Sequence, residues 1–447
     1  MSGTRGKFNS RIGFILAAAG SAVGLGNIWG FPTQAAENGG AAFVVMYLLL
    51  AFCLAYPAFM AELIIGRHGQ ANAVESLKKI STNNVQRKFA FVVGFGGILC
   101  AGLLMSFYAI VAGWMVAFTI EPITTVVGAD SASTWLTTHG TQRNLLFTLI
   151  FTALTIFIIS RGVENGIERW SKRLMPALVV LLVSLAIYVL TLEGATDGLK
   201  AYLIPDTSRL LEPELIVSAL GQAFFSLSLG TSVIIIYGSY VGKNENLVSL
   251  GASVTLIDVF IAFLAGLLIV PAMYVAQAQG VEIFRDGVLL SGDTLVLTVL
   301  PALFDTMGNG GIIVSFAFFL LLSIASLTSS ISMLEAPVSY TVERFGVGRN
   351  KATLIMGAII FTVSCIIIFN FSSLFGFVIS LTTEYGQPII GMLCCIFVGW
   401  IWQRSSLLNE LKNGNEQIEY SLFWKIWPWY TKLVCPVAIA LVFINSL

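Results

Sequence analysis

The stretches Ala22-Val23-Gly24-Leu25-Gly26-Asn27 and Ser226-Leu227-Ser228-Leu229-Gly230-Thr231-Ser232 each lie inside a long apolar run, and each carries glycines and small polar residues that interrupt a helix. In hydrocarbon, every backbone N–H and C=O freed by such an interruption needs a partner, so broken backbone persists only where it lines a cavity or holds a ligand. Two interrupted segments in corresponding parts of the two halves of a membrane protein point to the binding site of a secondary transporter. The breaks here come at similar depths in their segments.

The rest of the chain supplies the membrane. Of its 447 residues 57% are hydrophobic and 11% charged, with a mean hydropathy of +0.87; a soluble domain carries about 25% charged residues. The composition is that of an all-α polytopic membrane protein. Taking roughly 20 mostly apolar residues per span, helices are expected near 11–36, 40–66, 89–120, 143–160, 173–192, 212–239, 249–276, 308–342, 351–369, 371–403 and 431–447. These make one transmembrane domain over 1–447, with 11–192 and 212–403 as a pair of inverted five-helix repeats and 431–447 as the eleventh helix. The repeat assignment rests on the placement of the two breaks. The first apolar segment contains Asn27 and several glycines and lacks a cleavage pattern, so it is expected to remain as the first span.

With the N-terminus inside, only Arg143, Lys200, Arg209 and Arg285 of the 24 Lys and Arg residues fall on the outer side. This bias predicts a multi-pass cell (inner) membrane protein with a cytoplasmic N-terminus and, from the odd helix count, an outer C-terminus. Trp424, Trp427, Trp429 and Tyr430 are expected as an interfacial anchor just before the last helix. Outer loops near 193–211 and 277–307, with Asp197, Asp206, Asp286, Asp293 and Asp305, are expected to cap an outward vestibule. The six cysteines all lie in apolar segments and read as small buried hydrophobes. With His68 and His139 the only histidines, a histidine metal site or catalytic triad has little material.

What chemistry the interior offers is oxygen. A sodium ion takes carbonyls, hydroxyls, amides and a carboxylate, and these occur from Gly20 to Asn27, from Ser226 to Ser232 and at Thr328-Ser329-Ser330, with Asp258 adding a fixed charge. Taken alone, Gly24 and Gly26 also fit close helix packing, and Thr328-Ser329-Ser330 fits hydroxyls bonded back to their own helix. An acid in mid-membrane, by contrast, reads as functional by default. Glu62 and Glu335 are read as structural, capping the broken helix ends.

The string from Gly13 to Gly40, with Phe31-Pro32 and Ala36-Glu37-Asn38-Gly39-Gly40 following the first break, resembles the signature of the neurotransmitter:sodium symporter family. Gly221-Gln222-Ala223-Phe224-Phe225-Ser226-Leu227-Ser228-Leu229-Gly230 is similar to that family's sixth helix, Ser326-Leu327-Thr328-Ser329-Ser330 to its eighth, and Tyr108 with Trp114 to its third. The likeness runs from about residue 5 to 403, and the eleven-helix count resembles the bacterial amino-acid branch.

This resemblance implies two sodium sites. The first would use the Ala22 carbonyl, the Asn27 side chain, the Ser226 carbonyl and hydroxyl, and Asp258. The second would use the Gly20, Val23 and Ala325 carbonyls with the Thr328 and Ser329 hydroxyls. Substrate would lie among Ser21, Ala22, Leu25, Gly26, Leu104, Tyr108, Phe225, Ser226, Ser228, Thr231, Ser329 and Met333. Half-helix ends with free N–H groups suit its carboxylate. At the position of Gly24 the monoamine carriers show an aspartate that meets the ligand ammonium; with no side chain here, the ligand must bring its own carboxylate. Gly30 and Ile379 replace the usual outer-gate ion pair, leaving Tyr108 and Phe225 as that gate, while Arg5 and Glu343 remain for an inner one. Asp258 stands where the family more often has asparagine. Its charge replaces what chloride supplies elsewhere, and it is expected to take up a proton when the carrier returns empty, because an isolated buried carboxylate is costly.

The expected function is therefore sodium-coupled import of neutral, hydrophobic L-amino acids by alternating access. A carrier of another small carboxylated amine and a transporter-fold sensor are the alternatives. No acid–base pair, metal cluster or activated nucleophile argues for an enzyme, and paired broken helices argue against a passive channel. The expected partners are the substrate and the bilayer, not nucleic acid.

Overall fold

The computed structural model describes residues 7–285, 288–289 and 295–445. The chain opens with α1 (Arg11–Ala22) and α2 (Gly26–Glu37), which meet at a 53° bend. Then follow α3 (Ala41–Gly69), the short α4 (Ala73–Ile80), the long α5 (Asn84–Val126), α6 (Asp130–Thr137), α7 (Thr141–Ser160), α8 (Val163–Leu190) and α9 (Ala195–Leu203). The second half runs through α10 (Pro213–Ser226), α11 (Val233–Ser239), α12 (Leu247–Ala278), α13 (Val296–Thr306), α14 (Asn309–Phe345), α15 (Arg349–Phe369) and α16 (Phe371–Ile401). It closes with α17 (Arg404–Lys412) and a helix over 422–445, α18. Eight of these helices are uninterrupted and long and apolar enough to cross a bilayer, and the bent α1–α2 pair makes a ninth.

Local chemistry sets the helix ends. Ser10, Asn72, Asn83, Asn246 and Ser421 each cap a first turn by accepting an N–H two or three residues on. Pro213 opens α10, where a missing N–H leaves no gap in the ladder, while Pro32 and Pro57 lie inside α2 and α3, just after the wide turns of Gly26–Gly30 and Ala51–Ala55. Several boundaries differ from the sequence reading. Asn83 starts α5 ahead of residue 89, and Ser421 starts α18 ahead of 431, so Trp424, Trp427 and Trp429 lie within that helix rather than before it. The amphipathic α4, α6 and α17 were too short and polar to register as spans.

Contacts define two ends of the bundle. At one end, which contains Phe8 and is called the N-face, Phe8 donates to the Tyr240 carbonyl, Asn9 to Glu168, and Asn72 to Glu343 through both its N–H (2.7 Å) and its amide (2.9 Å). At the opposite end α9 packs on α12: the Tyr202 hydroxyl donates to the Phe263 carbonyl at 2.9 Å, and Gly194 and Gly198 lie so close to α12 that a Cβ would strike its backbone. Of the acidic segments expected as caps, α9 thus packs on α12. Asp286, Asp293 and Arg5 lie outside the described residues.

The N-face is held by a buried ion pair. The Arg67 Nε lies 2.7 Å from Glu410 Oε1, its Nη2 bonds the Glu410 carbonyl, and its Nη1 donates to the Glu245 carbonyl at 2.6 Å. His68 Nδ1 sits 3.1 Å from the other carboxylate oxygen. Burial pushes the Glu410 carboxyl up, but the hydrogen bond from His68 and the charge of Arg67 outweigh it and hold the group below the usual carboxylate range. A depressed acid contributes stability above its unfolded pKa and loses it as pH falls through the folded value. Glu410→Gln strands a buried guanidinium and is expected to destabilise the protein by on the order of 3 kcal/mol at pH 7. The deficit relative to the parent should shrink once the pH drops below about 4. Thermal unfolding in detergent across pH checks both, and equal melting at pH 7 would rule the clasp out as a stabilising element.

Candidate substrate and ion site

The first break begins where Val23 turns extended (ψ 103°) after donating its N–H to the Ala19 carbonyl. The next donors find side chains: Gly24 N–H donates to Asn27 Oδ1 at 3.1 Å and Leu25 N–H to the Tyr108 hydroxyl at 3.1 Å. The helix then resumes in a wide turn, with Phe31 N–H reaching the Gly26 carbonyl. That carbonyl also accepts from Gln222 Nε2 at 2.6 Å. Glycine is required at two positions by proximity. A Cβ on Gly24 would fall 2.3 Å from Ser329 Oγ and 2.8 Å from the Tyr108 hydroxyl, and one on Gly26 would fall 2.8 Å from the Phe225 ring.

The second break is built from left-handed residues. Ser228, Gly230 and Ser232 have φ of 54°, 74° and 60°, a conformation costly for serine and retained where surrounding bonds enforce it. Those bonds are present. Gly230 N–H donates to Glu62 Oε1 at 2.7 Å, the Leu229 carbonyl accepts from Gln387 Nε2 at 3.1 Å, and Thr231 Oγ1 donates to the Ser228 carbonyl at 2.6 Å. Glu62 therefore caps this break, as its sequence position suggested. Glu335 does not: it is drawn instead to Arg349 at the start of α15 and accepts from the Tyr240 hydroxyl at 2.6 Å.

Two oxygen clusters flank the breaks. In one, Ser226 Oγ lies 2.9 and 2.8 Å from the two carboxylate oxygens of Asp258, and Asn27 Nδ2 donates to Asp258 Oδ1 at 2.7 Å. Asp258 and Asn27 are fully buried. In the other, Thr328 Oγ1 meets the Val23 carbonyl at 3.3 Å and the Ala325 carbonyl at 2.9 Å. Ser329 Oγ lies 3.5 Å from the Gly20 carbonyl, 3.2 Å from that of Ser21 and 3.3 Å from that of Val23. The five oxygens expected of a second ion site thus converge, drawn from the end of α1 and from α14. In the first cluster Asn27, Ser226 and Asp258 converge, while Ala22 ends α1 beside the cavity described next.

That cavity is narrow, lies between the breaks and is lined by Ser21, Ala22, Gly24, Gly26, Leu104, Tyr108, Phe225, Ser228, Thr231, Ser329, Met333 and Gln387. Of the expected substrate residues, Leu25 and Ser226 stand just outside it. Leu25 faces the Tyr108 hydroxyl with its N–H, and the Ser226 hydroxyl faces Asp258. Gln387 was not anticipated. The one local signal is its place directly after the wide turns of Ser380–Gly386, since such bulges recur at functional sites.

A second, larger cavity of about 500 Å³ lies toward the end opposite the N-face, with Gly30, Gln34, Gln222, Ile379 and Glu384 among its walls. Phe225 lines both cavities and, with Tyr108, stands where the outer gate was expected. Gly30 and Ile379 line the larger one. Glu343, expected as half of an inner gate, binds Asn72.

Comparison with known proteins gives consistent results. The model of the sodium:neurotransmitter symporter family matches residues 5–145 and 129–447. An uncharacterized sodium-dependent transporter of Bacillus subtilis is 35% identical over 98% of this chain and 96% of its own length. The sodium-dependent serotonin transporter of Drosophila melanogaster is 26% identical over 99% of this chain and 76% of its own. Among solved structures, MhsT in complex with L-phenylalanine superposes with a TM-score of 0.85 at 36% identity, covering 99% of this chain and all of that one.

Because a Cβ at Gly24 meets two site oxygens at once, Gly24→Ala must push Tyr108 or Ser329 aside. Overpacking of this kind costs about 1–3 kcal/mol. Sodium-dependent uptake is expected to fall about tenfold or more in a protein that still purifies as a monodisperse species. Unchanged uptake would show that the break does not need the close approach.

Proposed function

The chain belongs to the sodium:neurotransmitter symporter family, and we propose that it imports neutral, largely hydrophobic L-amino acids by alternating access, coupled to two sodium ions and independent of chloride. It is a sodium-dependent membrane transporter, not an enzyme. The carrying observation for the finer reading is the meeting of two broken helices at one cavity with an oxygen cluster on each side.

In this reading one ion lies among Ala22, Asn27, Ser226 and Asp258, beside the carboxylate of the substrate. Asn27 now donates toward Asp258 and would turn its amide to present oxygen. The other ion lies among Gly20, Val23, Ala325, Thr328 and Ser329. The substrate carboxylate takes the N–H groups of the first break and the Tyr108 hydroxyl, in a space that Gly24 leaves clear. Leu104, Phe225 and Met333 receive its apolar side chain. That MhsT holds L-phenylalanine in a closely similar fold supports this choice. Ion binding at the second cluster ties α1 to α14, and its loss on the low-sodium side frees α1 to move and open the inner path.

Asp258 carries the chloride argument. Two unit charges about 5 Å apart interact by roughly 3 kcal/mol at an effective dielectric near 20, an offset that a fixed carboxylate supplies permanently. We assign the N-face to the cytoplasm from its basic residues, with about eleven spans once α10–α11 and α18 are counted, arranged as two inverted repeats over 11–192 and 212–403 and a last helix. The C-terminus is then outside, in the cell membrane.

Uptake into proteoliposomes tests the reading. An inward sodium gradient should drive accumulation of labelled leucine or phenylalanine equally well in chloride and gluconate. Tryptamine should fail to compete where tryptophan does. Equal competition by the amine sinks the carboxylate argument, and strong chloride dependence sinks the role given to Asp258. Independently, Thr328→Ala with Ser329→Ala leaves carbonyls alone around the second ion, so the sodium concentration for half-maximal uptake should rise about tenfold or more, roughly the loss of two weak ligands. Normal sodium dependence in that double variant would overturn the second site.

A further inference from the structure

The cavity between the breaks has a polar wall whose hydrogen-bonding capacity is one-sided. Thr231 Oγ1 gives its hydrogen to the Ser228 carbonyl at 2.6 Å, Ser228 Oγ gives its own to the Ser21 carbonyl at 3.1 Å, and Ser21 Oγ donates to Ser332 Oγ at 2.7 Å. Each of these hydroxyls keeps only lone pairs for anything in the cavity. Gln387 completes the wall. It is 1% exposed, and its Nε2 donates to the Leu229 carbonyl at 3.1 Å while its Oε1 has no partner. The bond to Leu229 fixes the amide orientation, since turning it over would set Oε1 against a carbonyl oxygen. The other unpartnered oxygen at this break is Glu62 Oε2.

A buried acceptor left unpaired is unfavourable, and such atoms in native proteins call for an explanation. We propose that Gln387 is a specificity-determining residue: its side-chain carbonyl, in the wall of the cavity, accepts a hydrogen bond from the substrate side chain, so the carrier prefers amino acids whose apolar side chain ends in or carries an N–H or O–H donor. This rests on the amino-acid reading above and narrows it. A site built to bond a donor rejects the analogue that lacks one far more strongly than an apolar pocket rejects a small change in size. Tryptophan and tyrosine have the required chemistry, whereas leucine and phenylalanine fit the apolar walls but leave Oε1 unpaired.

The test uses purified, reconstituted protein and two isosteric pairs, tyrosine with phenylalanine and tryptophan with 3-benzothienylalanine, in which sulfur replaces the indole N–H. Inhibition constants against a labelled amino acid should favour the donor-bearing member of at least one pair by about tenfold in the parent protein. In Gln387→Met, which also frees the Leu229 carbonyl and so weakens binding of all four ligands together, the ratio within each pair should fall to about twofold or less. The parent comparison stands even if the variant fails to fold. A parent indifferent to the donor in both pairs, or a Gln387→Met protein that keeps the preference, overturns the assignment while leaving sodium-driven amino-acid uptake intact. Absence of sodium-dependent binding by any of the four ligands would instead remove the amino-acid reading, and this inference with it.

Discussion

Backbone that leaves the helix inside a bilayer must find its hydrogen bonds elsewhere, and the centre of this molecule is organised by that requirement. Two helices break beside one cavity, and side chains satisfy them: the break's own Asn27 and the distant Tyr108 at the first, the distant Glu62 and Gln387 at the second. Gln222 joins the two by donating to the Gly26 carbonyl. The carbonyls released from helical bonding are available as oxygen ligands, and the released N–H groups as donors, in the cycle proposed above. The same departure from regularity that threatens stability therefore creates the polar site. α3, α5, α14 and α16 act as a frame that holds irregular backbone in place.

Charge is rationed accordingly. Near the cavity the ionisable groups with assigned partners are Asp258, within the Asn27 and Ser226 cluster, and Glu62, on the Gly230 N–H. The guanidinium pairs that involve a buried carboxylate lie at the N-face: Arg67 with Glu410, and Arg349 with Glu335. Buried ion pairs are weak evidence for stability but costly to break. They fix how α3, α14 and α15 end, while among the described residues the cavity between the breaks has no Lys or Arg in its wall to compete with a transported cation.

How far the sequence could be read follows from the range of each interaction. The breaks were legible because Gly24, Gly26, Gly230 and the serines act on their own backbone. Asp258 was legible because hydropathy makes a mid-membrane acid conspicuous, and Thr328 and Ser329 because they resemble a known pattern. Gln387 was not, since its partner Leu229 is 158 positions away and a glutamine in an apolar run has no local consequence. The destination of Glu335 was missed for a related reason: Arg349 lies only 14 positions on but beyond a turn at Gly346 whose geometry decides which way the next helix faces. Helix starts drifted where a capping asparagine or serine, not apolarity, set the boundary, as at Asn83 and Ser421.

The ring of Phe225 is a wall of both cavities at once. In the cycle proposed above, a solute passing from the smaller to the larger would have to swing that ring away, and a solute resting in the larger would resist the swing. Escape is then limited by a side-chain rotation and by what occupies the space beyond it, independently of how well the inner contacts fit. Residence time and equilibrium affinity can therefore diverge. A bulky molecule lodged in the outer space, touching nothing in the inner one, lengthens the stay of whatever lies beneath it, much as a door is held shut from the corridor.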